Sequence, residues 1–352
     1  MPHNSRAHAA GFIALAIVIV IGAARISRAQ QPAPTHKSAR AIFVANPTAN
    51  SLSVFPVGSN GNVPSLFTRT FLGAPSGIAY RKGNLYVANI GGVNDGYSIM
   101  AYPVRGGRRP APIFTIGARL IIPRGVALDS AGNIYVVNEG IESGDQSSDP
   151  PSVTIYRAGS NLEDAPVARI SGPKTGLSYS QAIALDSHGY IYVSNQGQDP
   201  ITVYSPGSNG NVAPARVISG PATLLSAPEG VAIDSSGRLF VSSSAAGAPG
   251  FPSAAILIFA PGSSGNVAPL ASIDCDCAKI HTPGAITLGS NGNPYVTTRW
   301  NFDTSTAGVA VFPAPVEGYT GQCLMPISSI AGDKTRIADP GGIASIPMAT
   351  CM

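Results

Sequence analysis

Glu229 and His281 are the residues of this chain best suited to acid/base chemistry. Each stands just before a short apolar phrase, "GVAID" after Glu229 and "GAITL" shortly after His281. Arg124 precedes a matching phrase, "GVALD", earlier in the chain. A carboxylate or imidazole facing a guanidinium could abstract a proton and stabilise an enolate, which is the chemistry of a lyase. The opposing interpretation, a solvated Glu and a solvated His on loops, is the one that the sequence favours.

An acidic stretch offers a second kind of chemistry, calcium binding. The segment "EGIESGDQSSDPPS" (139–152) carries Glu139, Glu142, Asp145 and Asp149. It lacks the rigid alternation and the central glycine of a known calcium loop, so a solvated acidic loop is favoured. We therefore predict no cofactor, and Ca²⁺ stays open as the alternative.

Trp300 is the only tryptophan, and it follows Arg299 in a loop sequence, "RWNFDTSTA". An exposed Trp could stack on a sugar or anchor a protein partner, because Trp is enriched at binding hot spots. It could equally pack onto its own domain. The predicted partner is therefore a protein or carbohydrate ligand near Trp300 and Arg299.

The cysteines indicate disulfides. There are four, Cys275, Cys277, Cys323 and Cys351, and an even set favours disulfides in a chain that is exported, as predicted below. The "CDC" pair could be read as metal ligands, but no second pair and no His at zinc spacing supports that.

All of these candidates lie in a chain that repeats a phrase about every 50 residues. Five copies are complete, and a sixth is split between "AIFVAN" (41–46) and "GGIASIP" (341–347). The apolar anchors of the five copies are spaced 48, 57, 48 and 55 residues apart: Ile78, Val126, Ile183, Val231 and Ile286. Such a period is the signature of a repeat architecture.

Each repeat resolves into four short strands. The first is small and apolar, a "DSxG" turn follows, the second alternates like a β-strand, and the third ends in an aromatic. The phrase "GSNGNVAP" (207–214), with close copies at 58 and 262, then predicts a hairpin into the fourth strand, because Asn-Gly favours such turns.

Six such units predict an all-β, six-bladed β-propeller of four-stranded blades. Its last blade would be closed by N-terminal strands plus a C-terminal innermost strand. A membrane β-barrel is disfavoured, because its strands would run to about 10 residues.

The phrases "SGIAYRKGNLYVAN" and "NSLSVF" resemble the NHL repeat. By extension the chain resembles the six-bladed propellers grouped with TolB and with the gluconolactonase/regucalcin relatives, over residues 41–347. It departs in having Asn where NHL repeats carry Asp after the second strand, with Ser or Thr there in two units. The resemblance implies the fold, and it leaves lyase, lactonase and plain binding scaffold open.

Propeller geometry sorts the candidates by face. The starts of the first strands, with Arg124, Glu229 and His281, surround the channel, as do the strand-end asparagines Asn46, Asn89, Asn138 and Asn195. The resemblance implies a calcium ion held in that channel by Glu, Asn and Asp oxygens. Asparagine at a strand end also bonds its own turn, which is the favoured interpretation. Glycine or alanine opens the first strands where the lactonases project ligands, and this argues against carrying over their metal site.

The same sorting predicts a Cys323–Cys351 disulfide. Both residues fall toward the hairpin face of adjacent units, where a bridge would fasten the C-terminal tail beside the closing blade. Cys275 and Cys277 fall together on the channel face.

The N-terminus predicts export. The apolar run "GFIALAIVIVIGAA" (11–24) has the length of a secretory signal and is short for a bilayer span. Small residues Ser27 and Ala29 allow cleavage before Gln30, which makes 1–29 a signal peptide and 30–40 a linker. Arg25 and Arg28 leave an uncleaved membrane anchor as the alternative.

Charge argues against nucleic acid. The net charge is only +4 and the basic residues are scattered, apart from "RGGRR" at 105–109. The prediction is an exported, monomeric propeller, periplasmic, cell-surface or secreted, without a membrane span in the mature chain. It would be a non-catalytic binding or scaffold protein. The alternative is a metal-assisted lyase or lactonase that uses the channel face.

Overall fold

A computed structural model describes residues 41–70, 73–91, 96–104, 111–141, 149–197, 200–244, 254–275, 280, 282–299, 307–318 and 322–346. The predicted signal peptide and linker, the basic cluster at 105–109, and the candidates Asp145, Cys277, His281, Trp300 and Cys351 lie outside these residues. In the described part of the chain, no helix is long and apolar enough to cross a bilayer.

The described residues form six sheets, each built on four antiparallel strands. In five of them these strands run in sequence order from the centre outward, and in the sixth the innermost strand comes from the C-terminal part of the chain. Blade 1 contains β1 (Ala41–Asn46), β2 (Ser51–Pro56), β3 (Phe67–Thr70) and β25 (Ile343–Ser345). Blade 2 contains β4 (Pro75–Arg81), β5 (Asn84–Asn89), β6 (Ser98–Pro103) and β7 (Phe114–Ile116). Blade 3 contains β8 (Pro123–Leu128), β9 (Ile134–Asn138), β10 (Ser152–Tyr156) and β11 (Ala168–Ser171).

The remaining blades follow the same plan. Blade 4 contains β12 (Ser180–Leu185), β13 (Ile191–Asn195), β14 (Ile201–Tyr204) and β15 (Arg216–Ile218). Blade 5 contains β16 (Pro228–Ile233), β17 (Leu239–Ser243), β18 (Ala255–Phe259) and β19 (Ala271–Asp274). Blade 6 contains β20 (Thr282–Leu288), β21 (Pro294–Arg299), β22 (Gly308–Val311) and β24 (Ser328–Ala331), while β23 (Gln322–Cys323) adds to blade 5, parallel to β19.

The inner strands pack side by side in the order β4, β8, β12, β16, β20 and β25, and β25 returns to β4. The closing blade is split as the sequence predicted. The C-terminal strand β25 pairs with the N-terminal strand β1, with Ile343 opposite Val44 and Ser345 opposite Ile42. The six-bladed, all-β prediction is confirmed.

The hydrophobic core lies between the blades. Six clusters of buried side chains fill the spaces between adjacent sheets. Between blades 1 and 2, for example, Phe43 and Leu52 meet Leu85 and Val87. Because each middle strand packs on both neighbouring blades, β10 is buried at every position and does not alternate.

The repeated "GSNGNV" phrase does more than connect the third strand to the fourth. In blade 4 it reaches the outer strand of blade 3, where the Gly210 N–H donates to the Arg169 carbonyl at 2.8 Å. Three asparagines of the phrase accept from backbone N–H groups of the preceding blade: Asn62 from Lys334, Asn211 from Lys174, and Asn266 from Ala222. We call these the latch asparagines, because they join neighbouring blades at the rim.

Candidate functional site

The channel face holds a cavity of about 200 Å³ at the starts of the inner strands. Its floor is a collar of six aliphatic side chains, one from each blade: Ile78, Val126, Ile183, Val231, Ile286 and Ile343. Each is between 5% and 8% exposed, so the collar packs between the blades and shows only its edge to the cavity. The anchors of the sequence repeat are therefore the apolar lining of the channel.

Glycine and alanine in the inner strands let the blades approach one another around this channel. A Cβ added at Gly77 would lie 2.6 Å from the Arg124 carbonyl oxygen of the next blade. Such contacts are closer than any side chain tolerates. The small residues that the sequence placed at the ligand positions of the lactonases thus have a packing role.

Serine hydroxyls bond the backbone groups at two of these junctions. Ser194 accepts from the Ala182 N–H at 3.0 Å and donates to the Glu229 carbonyl at 2.7 Å, which joins blades 4 and 5. Ser242 accepts from the Gly230 N–H in the same way and donates to the Gly284 carbonyl. The backbone beneath Glu229 is therefore held by hydrogen bonds on both sides.

Glu229, at the start of β16, lines the cavity, and its side chain is 23% exposed. Its carboxylate lies 3.9 Å from the guanidinium of Arg299, the last residue of β21. Burial raises the pKa of Glu229, and Asp339 adds to this, while Arg299, a hydrogen bond from Gln196, and Arg124 act in the lowering direction. A carboxyl group with a raised pKa is suited to proton transfer near neutral pH.

Arg299 is shared between two acids. Its Nε lies 3.3 Å from the Asp339 carboxylate and also donates to the Pro340 carbonyl at 3.0 Å. Asp339 precedes the C-terminal inner strand and has a φ of 45°. Ile122, Tyr179 and Ala227 hold a positive φ at the matching place in other blades.

Arg124, at the start of β8, makes its own ion pair. Its Nη2 lies 2.5 Å from the carboxylate of Glu139, the residue that follows β9. Both Arg124 and Arg299 line the cavity together with Glu229 and Asp339. The mouth of the channel thus carries charged groups from blades 3, 5 and 6 and from Asp339 above an aliphatic floor.

Four sequence candidates meet at this mouth: Arg124, Glu139, Glu229 and Arg299. Asp149 does not join them, because its carboxylate lies 3.6 Å from Arg169 of the outer strand β11. The sequence reasoning missed Asp339 and Gln196. Alignment of "IADPGG" with the other first strands could have marked Asp339 as a pre-strand residue, as it marked Glu229.

The strand-end asparagines point into their blades. Asn46, Asn89, Asn138 and Asn195 are fully buried. The Asn195 amide donates to the Val193 and Pro200 carbonyls and to Thr202, and its oxygen accepts from Ser178 N–H and the Ser180 hydroxyl. Asn46 and Asn138 likewise accept from the backbone of the connection that leads into the first strand. Among the described residues, the side-chain oxygen of Asn89 has no hydrogen-bond partner. Ligand binding by Asn89, Asn138 or Asn195 stays a prediction.

No three His, Cys, Asp or Glu side chains of the described residues come together as metal ligands. Glu139 and Asp149 belong to separate ion pairs, so a calcium site that joins them with Asp145 stays a prediction. Cys275 is buried, and its thiol donates to the Ile273 carbonyl at 3.7 Å. The backbone of Cys323 lies opposite Asp274, and the Cys323–Cys351 disulfide stays a prediction.

Solved structures with this fold come from several bacteria. A protein of unknown function from Bacteroides caccae has a TM-score of 0.58 and 11% identity, covering 88% of this chain and 99% of its own. The periplasmic gluconolactonase of Pseudomonas aeruginosa has a TM-score of 0.55 and 14% identity, with the same coverage. A 6-phosphogluconolactonase, so named provisionally, from Bacteroides fragilis has a TM-score of 0.54 and 11% identity, covering 89% and 99%.

The chain shares the propeller fold of these proteins. The gluconolactonase-like resemblance is therefore confirmed for the fold, while the NHL repeat assignment stays a prediction. No protein-family model and no curated protein sequence matches the chain.

Proposed function

We propose that this chain is an exported binding protein that takes a small organic molecule into the channel cavity. The observation that carries the proposal is the position of Glu229, a mostly covered carboxylate between Arg124 and Arg299 at the mouth of a preformed cavity. Small-molecule sites are concave and combine apolar surface with a few placed polar groups. This cavity has an aliphatic collar below and charged side chains at its mouth.

The way the site is built favours binding. The collar and Glu229 belong to inner strands that are each paired with the second strand of their own blade and packed against the inner strands of both neighbouring blades. We therefore expect their positions to change little when a ligand enters. A preformed site avoids part of the entropy cost of ordering side chains on binding. The cavity is too small for a folded partner, and a protein ligand would have to insert a single side chain.

Lactone hydrolysis is the second candidate, favoured by the raised pKa of Glu229 and by two similar structures named as lactonases. Glu229 as a carboxylate would take a proton from water as that water attacks the lactone carbonyl. Arg299 or Arg124 would stabilise the oxyanion. The ring C–O bond would then break, and the leaving oxygen would recover the proton from Glu229.

Binding and turnover can be separated with the full chain and Glu229→Gln. We would measure thermal shifts with panels of neutral, anionic and cationic small molecules, and hydrolysis of five- and six-membered lactones with Ca²⁺ or a chelator. A bound ligand raises the melting temperature by mass action. Glu163→Gln, an exposed change in the connection that follows β10, is the matched control.

Binding that Glu229→Gln weakens, without lactone turnover, supports the binding proposal. Lactone turnover that Glu229→Gln abolishes would replace it with the hydrolase. A chain that binds no panel member and turns over no lactone would contradict both.

A further inference from the structure

We propose that the ligand is a small aliphatic amine, held as an ammonium ion by Glu229 with its hydrocarbon body on the collar. This inference rests on the proposed binding function and names the ligand class of the same cavity.

Carboxylates outnumber cations at the mouth. Among the described residues there, Arg124 is paired with Glu139 at 2.5 Å, and Arg299 is shared between Asp339 at 3.3 Å and Glu229 at 3.9 Å. Two guanidinium groups thus face three carboxylates, and Glu229 has the longest of these contacts. A covered carboxylate with a distant counter-ion gains most from a cation that arrives with the ligand.

The floor requires a hydrocarbon body. All six collar residues are aliphatic, and the serine hydroxyls next to them are bonded to backbone groups. A polyhydroxylated ligand would lose its hydrogen bonds to water there without replacing them, at a cost for each hydroxyl group. One non-hydrogen atom of a ligand takes about 30 Å³, the volume of a water molecule in the liquid. The cavity of about 200 Å³ therefore holds roughly seven such atoms.

Other ligand classes fit less well. A carboxylate would have to displace Glu139 or Asp339 from its arginine and leave that acid without a partner. Calcium takes six to eight oxygen ligands, and the aliphatic floor offers none. A monocation with an alkyl chain uses both the Glu229 carboxylate, whose ion pair is the longest of the three at the mouth, and the floor.

The test is calorimetric titration of the full chain with ethyl-, butyl- and hexylammonium, each compared with hexanoate, 1-hexanol, gluconate and calcium chloride. For about seven atoms, ligand efficiencies place the dissociation constant of hexylammonium in the millimolar to micromolar range. Each added methylene should tighten binding about fourfold until the cavity is full. Glu229→Gln should weaken hexylammonium binding about thirtyfold or more, because a covered charge pair loses one partner.

Glu163→Gln should leave every titration unchanged. If hexanoate, hexanol or gluconate binds better than hexylammonium and Glu229→Gln weakens that binding, the amine inference fails while the binding function stands. Equal hexylammonium affinity in wild type and Glu229→Gln also overturns the inference. If none of the probes binds, the amine inference fails. The proposed function then depends on the wider panel described above.

Discussion

The side-chain oxygen of Asn211 accepts a 2.8 Å hydrogen bond from the backbone N–H of Lys174, and this contact fastens blade 4 to blade 3. The backbone at Gly172 also lies close to the Asn211 side chain. Gly172 has a φ of +122°, and a Cβ added there would lie 2.7 Å from the Asn211 amide group. The repeated phrase of the sequence is thus matched by a second repeated turn, "SGPKT" or "SGPAT", that receives it.

We expect Asn211→Ala to lower the free energy of unfolding by about 1 kcal/mol, the usual contribution of one hydrogen bond, and the melting temperature by a few degrees. Gly172→Ala should cost more, because it adds a clash to backbone strain. In the double variant the clash with the amide group is gone, and only the Cβ atom of residue 211, at 3.0 Å, remains close. The losses of the two single variants should therefore sum to about 1 kcal/mol more than the loss of the double variant.

Urea unfolding of the two single variants and the double variant gives this coupling. Ser208→Ala, in the same connection but without a bond across the blades, should be neutral. Strict additivity of Asn211→Ala and Gly172→Ala would mean that the Asn211 side chain moves aside without cost.

The strand order was predictable because it follows from the pattern within one repeat. The blade count and the split closing blade were predictable from the number of repeats and from the two half-repeats near the ends of the propeller sequence. The channel-face position of Glu229 and Arg124 was predictable for the same reason, since both directly precede a first strand. The hydrogen bonds that the latch asparagines make to the preceding blade were not predictable. Its partners are 37 residues apart in the case of Asn211 and Lys174, and "SNG" by itself indicates only a turn.

The pairing of charges at the channel mouth could not be predicted from the sequence for a related reason. Arg299 was identified as a candidate ligand residue, but its pairing with Asp339 depends on how the chain between β24 and β25 folds back. That connection holds a 3-10 turn, Asp333–Thr335, and a residue with positive φ at Asp339. Neither has a strong sequence signal in a segment as polar as "GDKTRIADP".

The close packing of inner strands predicts that Gly77→Ala is strongly destabilising. The added Cβ would meet backbone atoms of Arg124 and Gly125, which cannot rotate away, so blades 2 and 3 would have to separate. We expect a loss of about 2 to 3 kcal/mol, in the range of core overpacking. Gly91→Ala, which meets nothing within 4 Å, is the control for denaturant unfolding, and equal effects of the two changes would refute the packing argument.

Blade 6 departs from the "DSxG" turn, and restoring the repeat should harm the protein. Asp234 in blade 5 accepts from the Ser236 and Arg238 N–H groups at 2.9 Å each, whereas Gly289 occupies the matching place in blade 6. A Cβ at Gly289 would lie 2.8 Å from the ring of Tyr295, which is buried. Gly289→Asp should therefore lower the melting temperature although it matches blades 3, 4 and 5, and a rise would show that Tyr295 repacks freely.

The predicted Cys323–Cys351 bridge can be checked by peptide mapping of the full chain without reduction. Strand β23 sets the Cys323 backbone opposite Asp274, next to Cys275 in the sequence, so a second pairing competes. We expect a linked peptide that contains Cys323 and Cys351. A peptide that links Cys323 to Cys275 or Cys277 would contradict the prediction and assign the bridge to the contact between β19 and β23.

The raised pKa of Glu229 predicts a pH dependence of stability. A single variant separates this effect from those of the other carboxyl groups. Burial raises its pKa in the folded protein, with Arg299, Gln196 and Arg124 only partly offsetting this. The folded state therefore binds the proton of Glu229 more tightly than the unfolded state does. By linkage, the contribution of Glu229 to stability is fully present below the ordinary carboxyl pKa and is lost as pH rises through the raised pKa.

Glutamine cannot ionise, so Glu229→Gln should be more stable than the wild type at pH 8 and should lose this advantage at pH 4. Asp234 has the opposite behaviour. Burial acts to raise its pKa, but hydrogen bonds from Ser236 and Arg238 outweigh this and lower it, so its contribution is lost on acidification. Asp234→Asn should therefore be less stable than the wild type at pH 8 and approach it as the pH falls. Urea midpoints of the three proteins across this range give both differences. A Glu229→Gln difference that does not change with pH would mean that Glu229 is ionised in the folded protein as readily as in water.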